Sequence, residues 1–205
     1  MKLYGFPPSP NTWKVRAVAH QMVLPLELEL VDLTAGAQRK PEYLRLNPTG
    51  RTPTLVDGDF KLWESAAILQ YLGSKQPTSL WPDDAKARAD IMRWQSWHLQ
   101  HWSRGVNGFI FENLVKHILK MGDPDPKALA QAGELFHQDA AVLDTHLERH
   151  PYLVNDTLTL ADFTVVAPLF LAEQGKIPLE KYGHLRRWFG AQAALPAWQE
   201  TAPRR

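Results

Sequence analysis

The sequence predicts a chain in two parts, a small α/β domain followed by an all-helical domain. Strand-like and helix-like segments alternate over the first 75 residues, whereas beyond them the strand signal disappears. Between the two parts, residues 73–84 have the proline and polar content of a linker. We therefore expect a first domain over residues 1–75, a linker over 76–85 and a helical domain over 86–205.

The first domain is predicted to follow the order βαβαββα. Its strands fall at 2–6, 26–30, 54–56 and 60–62, and its helical segments at 11–22, 41–46 and 65–74. Leucine alternates with glutamate over 26–30, as in a strand with one buried face, and Asp57-Gly58 is a strong signal for a hairpin turn. Two strands separated by a helix favour a parallel pair, so this domain is predicted to be thioredoxin-like.

The second domain is predicted to be built from helices alone. They cover about 85–120, 126–149, 160–173 and 185–194. Gly105 and Gly108 are expected to loosen the first of them. The second begins with Asp125 as its N-cap and a proline at the first helical position, and the third begins with a capping box formed by Thr159 and Asp162.

Composition is ordinary for a soluble globular protein of 205 residues, with 44% hydrophobic and 22% charged residues and a net charge of +1. This balance gives no electrostatic basis for binding nucleic acid or a membrane surface. The absence of cysteine excludes disulfides, thiolate metal sites and a cysteine nucleophile. No apolar run approaches the roughly 18 residues of a membrane helix, and the first residues lack the pattern of a signal peptide. We expect a cytoplasmic enzyme without a metal.

The segment from Asn47 to Ser65 is the most informative part of the chain. The Thr52-Pro53 bond lies in a strand-like run, where a cis peptide is expected and would turn the main chain of Thr52 outward. Its N–H and C=O could then pair with an extended peptide, as an added strand does. Glu64 is placed to take an ammonium group, and Ser65 opens a helix whose N-terminus can hold a carboxylate. The segment predicts a receptor for a small peptide that carries both charges of an amino acid, which is the outline of a glutathione site.

The two-part organisation and these motifs resemble the glutathione transferases over essentially the whole chain. The resemblance rests on Asn-Pro-x-Gly-x-x-Pro at 47–53, on Glu64-Ser65, and on Thr-Leu-Ala-Asp-Phe at 159–163, which is similar to the family's buried capping motif. It implies an enzyme that activates the thiol of its co-substrate glutathione and conjugates it to a hydrophobic electrophile. It also implies a homodimer and a role in detoxification.

The resemblance further implies a group that binds the sulfur. In family members of the serine type, a hydroxyl after the first strand hydrogen-bonds the glutathione sulfur, and Ser9 falls at this place. Ser9 and the N-terminus of the first helix would then stabilise the thiolate, which is the nucleophile. Asn11 and then Thr12 are the next candidates. Alternatively, Ser9 serves only as the N-cap of the helix over 11–22.

Contacts at the other end of glutathione are implied in the same way. Gln38 and Arg39 lie where related enzymes contact the glycine carboxylate, although a His-Lys pair is expected there. Arg39 can supply a bidentate donor to a carboxylate. Arg51 also falls near the predicted site, or else it is an ordinary surface arginine.

Six residues of the long helix over 85–120 share one face, and most are aromatic or histidine: Trp94, Trp97, His98, His101, Trp102 and Gly105. One interpretation is a wall of the electrophile site, formed by Trp97, His101, Trp102, Phe109 and Phe111. Core packing or a subunit interface explains the same face equally well. A metal site at His98 and His101 is disfavoured, because no third ligand is evident.

Two other kinds of function stay open from the sequence alone. The same fold could support glutathione-dependent peroxidase, dehalogenase or isomerase chemistry, or it could serve as a non-catalytic binding or scaffold protein. The Thr52-Pro53 and Glu64-Ser65 pairs favour an intact glutathione site. The sequence therefore predicts a glutathione transferase of the serine type and does not identify its natural electrophile.

Overall fold

The first part of the chain forms a four-stranded mixed sheet in a computed structural model that describes residues 1–203. The strands are β1 (Lys2–Gly5), β2 (Glu27–Leu30), β3 (Thr54–Asp57) and β4 (Phe60–Trp63), in the sheet order β2-β1-β3-β4. β1 and β2 are parallel, with Leu3 opposite Leu28, and β3 runs antiparallel to both β1 and β4. Gly58 turns the β3–β4 hairpin with a φ of 59°, a left-handed conformation that glycine adopts at little cost.

Short helices complete this part of the fold. They are α1 (Pro10–Gln21), the 3₁₀ turn Ala37–Arg39, α2 (Pro41–Leu44) and α3 (Ser65–Gly73). α1 packs against α3, and the apolar side chains of both helices are buried with Leu3 and Leu55 of the sheet. The predicted βαβαββα order is confirmed. The buried face predicted for β2 is not, because Leu28 is only half-buried and Leu30 is 62% exposed.

Contacts divide the described chain into two units, one of residues 1–81 with the segment from Leu195 onward, the other of residues 82–194. The predicted helical domain over 86–205 therefore loses its last segment to the first unit. This segment forms α11 (Pro196–Glu200), where Trp198 is buried edge-on against Trp13 of α1, with ring centroids 5.5 Å apart. Trp13 Nε1 also donates to Thr201 Oγ1 at 3.1 Å. A five-residue helix is too short to show periodicity, so sequence patterns miss it.

The second unit begins with one long helical run. It comprises α4 (Ala85–Trp97), a π-helical turn (His98–Trp102), α5 (Ser103–Ile110), a second π-helical turn (Phe111–Val115) and α6 (Lys116–Leu119). The prediction that Gly105 and Gly108 loosen this run is wrong, since both are helical. They allow close packing instead, because a Cβ on Gly105 would lie 2.6 Å from the main-chain N of Phe136 and one on Gly108 would lie 2.6 Å from Ala132 Cβ.

The remaining helices are α7 (Pro126–Arg149), α8 (Leu160–Val166), a 3₁₀ turn (Ala167–Leu171), α9 (Ala172–Gly175) and α10 (Gly183–Ala193). The N-cap prediction for α7 is confirmed, since Asp125 Oδ1 accepts from Lys127 N at 2.9 Å. The helix predicted over 160–173 is divided by the 3₁₀ turn, near the start of which lies Pro168, a residue without an N–H. The last predicted helix starts two residues earlier than expected.

The predicted capping box at the start of α8 is also confirmed. Thr159 N donates to Asp162 Oδ2 at 2.9 Å, and Asp162 Oδ1 accepts from Leu153 N and Trp188 Nε1, both at 3.1 Å. Asp162 is fully buried, and burial raises the pKa of its carboxyl to about 6 although these hydrogen bonds oppose the shift. One carboxylate thus joins α8, α10 and the loop before them.

Candidate functional site

The loop between α2 and β3 is held by two buried polar side chains, Asn47 and Tyr43. Asn47 is only 1% exposed, and its Nδ2 donates to Arg51 O at 2.8 Å and to Thr54 Oγ1 at 3.1 Å. Tyr43 donates its hydroxyl to the same Arg51 carbonyl at 2.6 Å. Burial raises the pKa of the Tyr43 phenol, so it remains a neutral donor. The carbonyl that directly precedes Thr52 is therefore fixed from two sides.

The same loop is closed at its other end by Asn47 and Gly50. Asn47 Oδ1 accepts from Thr49 N at 3.0 Å and from Thr49 Oγ1 at 2.7 Å. Gly50 has a φ of 64°, and a Cβ there would lie 3.3 Å from the carbonyl oxygen of Gln38. The Thr52-Pro53 peptide is cis, as predicted. The Asn-Pro-x-Gly-x-x-Pro motif is thus a compact loop packed against the 3₁₀ turn that carries Gln38.

The start of α3 has an unusual backbone. Glu64 is its N-cap residue, with φ 68° and ψ 111°, and its exposed side chain makes no capping hydrogen bond. A non-glycine residue in this region costs roughly 1–3 kcal/mol, and such residues concentrate at ligand sites. Ser65 follows, nearly buried, and donates its hydroxyl to Asn11 Oδ1 at 3.3 Å. This bond joins the N-terminal ends of α1 and α3.

Ser9 is the N-cap residue of α1, but its side chain does not cap the helix. Its backbone is extended, with φ −69° and ψ 127°, and its hydroxyl makes no capping hydrogen bond. The main chain holds the residue in place, since Ser9 N donates to Phe6 O and Ser9 O accepts from Trp13 N, each at 2.9 Å. The interpretation of Ser9 as a simple N-cap is therefore not supported, because the hydroxyl is left for another partner.

Thr12 requires a correction. It is fully buried, and a Cβ on Gly5 of β1 would lie 2.5 Å from Thr12 Cγ2. The Thr12 hydroxyl is enclosed against the strand and has no hydrogen-bond partner among the described residues. Thr12 therefore packs α1 on the sheet, and its side chain does not face a ligand beside Ser9.

Gln38 and Arg39 lie in the 3₁₀ turn before α2. Gln38 Oε1 is buried without a hydrogen-bond partner in the described part of the chain, whereas the Arg39 side chain is exposed. Arg51 is exposed too, and only its carbonyl takes part in the loop described above. The structure thus leaves both guanidinium groups at the surface of the first unit.

The aromatic face of the second unit is largely a core face. Trp102 is fully buried and donates its indole N–H to Val165 O at 3.1 Å, and Trp97 stacks on it with ring centroids 5.8 Å apart. Trp94 is buried as well, edge-on to Trp97. The interpretation of Trp102 as part of an electrophile wall is therefore wrong, because its ring and its N–H are used within the helical core.

The other residues predicted to contact the electrophile differ in exposure. His101 is exposed and Phe111 is 41% exposed, whereas Phe109 is half-buried against Phe136, with ring centroids 6.0 Å apart.

Within residues 1–203, no three His, Cys, Asp or Glu side chains are grouped so that they could hold a metal ion. Nor is any helix in that range long and apolar enough to cross a membrane.

Sequence reasoning missed Lys14. This residue of α1 is only 1% exposed, and burial lowers the pKa of its ammonium to about 7, with Glu64 opposing part of the shift. A lysine within an apolar helix face, three residues after Asn11, was the available signal. The link between Asn11 and Ser65 was also missed, because 54 residues separate them along the chain.

Comparison with known proteins identifies the class. Two family models match the chain: the N-terminal domain of glutathione S-transferase over residues 1–74 and the C-terminal domain over residues 114–196. Glutathione S-transferase 3 of Zea mays is 37% identical, in an alignment covering 98% of this chain and 92% of the relative. The apo structure of glutathione S-transferase III superposes with a TM-score of 0.85 at 35% identity, covering 98% of this chain and 94% of the other. The structure of glutathione S-transferase-I bound with lactoylglutathione superposes with a TM-score of 0.87 at 27% identity, covering 98% of this chain and 97% of the other.

The chain therefore belongs to the glutathione S-transferase family. Its predicted transferase activity, with glutathione as the co-substrate, is confirmed at this level, and so is the predicted fold.

Proposed function

We propose that this transferase binds glutathione at the N-terminal ends of α1 and α3, holds the sulfur as a thiolate beside Ser9, and adds it to a hydrophobic electrophile. The observation that carries the proposal is the Ser9 hydroxyl, which stands at the N-cap of α1 without capping it. The Ser65–Asn11 bond brings a second helix N-terminus to the same place. Two helix N-termini favour two anionic groups, the thiolate and a carboxylate.

The amino-acid end of glutathione would bind at α3. Ser65 and the first N–H groups of the helix are donors for the carboxylate, and Glu64 is an acceptor for the ammonium. Asn11 would hold the Ser65 hydroxyl in position rather than contact the sulfur itself. The lactoylglutathione bound by the solved relative supports a site that accepts the glutathione backbone.

The middle and the glycine end would bind along the loop before β3. The N–H and C=O of Thr52, next to the buried Pro53, would pair with the main chain of the cysteine residue of glutathione. Gln38 and Arg39 would contact the glycine carboxylate, and Arg51 would add a second positive charge at the surface. The rigid anchoring of the Arg51 carbonyl supports this role, since a fixed loop loses little entropy on binding.

For the electrophile we propose contacts from the helical unit by Trp97, His101, Phe109 and Phe111. Phe111 is the best supported, because its ring is substantially exposed.

We also propose a homodimer, since β4 leaves Phe60 47% and Trp63 39% exposed on the first unit. Sedimentation that finds only monomer would contradict the dimer. A cytoplasmic location is proposed as well, and cell fractionation tests it.

Glutathione binding is tested by two alanine variants of the same helix. Ser65→Ala, at the N-terminal end of α3, should weaken glutathione binding about 10-fold or more, because a charge-assisted hydrogen bond is lost. Ser74→Ala, at the C-terminal end, removes only a bond to Gln70 O and should leave the affinity unchanged. Isothermal titration calorimetry measures both. Equal affinities in wild type and Ser65→Ala would contradict the proposed carboxylate contact.

A second test concerns the loop. Asn47→Ala should lower the free energy of unfolding by about 2 kcal/mol, because buried hydrogen-bond partners in the loop are left unsatisfied. It should also weaken glutathione binding, since Thr52 loses its anchored neighbour. Urea denaturation and calorimetry measure the two effects. Thr49→Ala is the control: it removes a single hydroxyl bond to Asn47 Oδ1, and a loss as large as that of Asn47→Ala would contradict this account.

A further inference from the structure

Lys14 is a charged side chain enclosed in the interior of the first unit. It is among the largest fully buried side chains of the protein. Burying an ammonium is costly because it removes the hydration of the charge. Lys14 lies three residues after Asn11 on α1, so the two side chains are neighbours on one helix face. The buried charge therefore stands one turn away from a residue of the proposed site.

This face of α1 leads to the start of α3. Asn11 accepts the hydrogen bond of Ser65, and α1 packs directly against α3. Glu64, the N-cap residue of α3, is the group whose charge acts on Lys14. Lys14 is thus coupled to the residues proposed to hold the amino-acid end of glutathione.

Other charged groups on the elements around α1 are engaged elsewhere. Glu200 of α11 is hydrogen-bonded to His20 at 3.0 Å. Lys2 of β1 is ion-paired with Glu27 at 3.3 Å, and Asp57 of β3 with Lys75 at 2.6 Å. Arg16 of α1 also has a partner. Glu64, the N-cap residue of α3, is thus the carboxylate of the proposed site whose charge acts on Lys14.

Both protonation states of Lys14, ammonium and neutral amine, are populated near neutral pH. Burial lowers its pKa to about 7, and the negative charge of Glu64 offsets only part of this. Near pH 7 the side chain is divided between ammonium and neutral amine. Glutathione carries two carboxylates and one ammonium, so its net charge is negative. A negative ligand nearby favours the ammonium form, and by linkage its binding is accompanied by proton uptake.

We propose that Lys14 is a positioning residue that takes up a proton when glutathione binds and then balances the negative charge of the ligand from inside the protein. The inference rests on the proposed glutathione site and adds to it a proton-linked counter-charge. The proton comes from solvent and is held on Nζ. Ionisation of the thiol releases a proton from sulfur at the same time, so the two events oppose one another in the total proton count.

The test uses S-methylglutathione, which has no thiol proton. Calorimetric titrations at pH 7 in two buffers of different ionisation enthalpy give the number of protons taken up. Wild type should take up as much as about half a proton per site, since Lys14 is then about half protonated. Lys14→Met should show no uptake and bind about 10-fold more weakly. Lys14→Arg, which is always charged, should show no uptake and keep most of the affinity.

Lys75→Met is the matched control, because Lys75 is ion-paired near the far end of α3, and it should leave the uptake unchanged. Wild type that binds S-methylglutathione without proton uptake overturns the role of Lys14 and leaves the glutathione site intact. Uptake that persists in Lys14→Arg overturns it as well. Wild type that binds neither glutathione nor its S-methyl derivative overturns the proposed function together with this inference. If Lys14→Met does not fold, the proton uptake measured for wild type and for Lys14→Arg still tests the role of Lys14.

Discussion

Ser9→Ala should raise the pKa of the bound glutathione thiol by about 1.5 units and lower kcat/KM at pH 7 about 10-fold. A free thiol has a pKa of about 8.5, and only the thiolate attacks an electrophile. Lowering the pKa by two units takes about 2.7 kcal/mol, which one charge-assisted hydrogen bond and a helix N-terminus supply together. The alanine variant keeps the helix and loses the hydrogen bond, so it should recover activity as the pH rises.

Ultraviolet absorbance of the thiolate against pH measures the pKa, and steady-state kinetics with an activated aryl halide measures the rate. Ser9→Thr retains a hydroxyl and should keep most of the shift. The stability of Ser9→Ala should be close to that of wild type, because the hydroxyl makes no capping bond. If the thiol pKa is the same in Ser9→Ala and wild type, Ser9 has no role at the sulfur and Asn11 becomes the leading candidate.

Asp162→Ala should lower the free energy of unfolding by about 3–5 kcal/mol, the largest stability effect we expect. The fully buried carboxylate accepts hydrogen bonds from the main chain of Thr159 and Leu153 and from the indole of Trp188. Removing it leaves these donors without a partner in a site that water does not reach, and it opens a cavity. Urea denaturation monitored by tryptophan fluorescence measures the loss.

Asp125→Ala provides the comparison, since Asp125 also caps a helix but is exposed. Asp125 Oδ1 accepts a hydrogen bond from Lys127 N at 2.9 Å. Asp125→Ala should therefore lower the free energy of unfolding by about 1 kcal/mol. Similar losses in the two variants would show that burial of the Asp162 network adds nothing to ordinary capping.

The pH dependence of stability gives a further check on Asp162. Its pKa in the folded protein, about 6, lies above the value of 3.8 for an unperturbed aspartate. The folded state therefore binds the proton more tightly than the unfolded state, and protonation of this group stabilises the fold. Relative to Asp162→Asn, wild type should become more stable as the pH falls from 7 toward 4. A relative loss of stability over that interval would contradict the raised pKa.

Local signals were sufficient for most of the fold. The β2 strand, the Asp57-Gly58 turn, the cis Thr52-Pro53 peptide and the Thr159–Asp162 box each depend on residues close together in the chain, and each was predicted correctly. Gly105 was misread because propensity describes an isolated helix, whereas here the neighbouring helix approaches so closely that only glycine fits.

The candidate site was predicted less completely, because its contacts join distant segments. Ser9, Glu64 and Ser65 were proposed from motifs, but the bond between Ser65 and Asn11 crosses two elements, and no spacing rule encodes it. The aromatic face of the long helix was ambiguous for a similar reason: periodicity reports that residues share a face and does not report what lies opposite. For Trp102 that partner is the carbonyl of Val165, not a ligand.

The return of α11 to α1 has a consequence for the order in which the chain is synthesised. The first 81 residues leave the ribosome early, but the edge-on partner of Trp13 is Trp198, and the whole second unit, residues 82–194, is made in between. The first unit therefore acquires the contact with Trp198 only after the whole of residues 82–194 has been synthesised. A ribosome-bound chain that stops before Trp198 would therefore lack the edge-on packing of the two indoles.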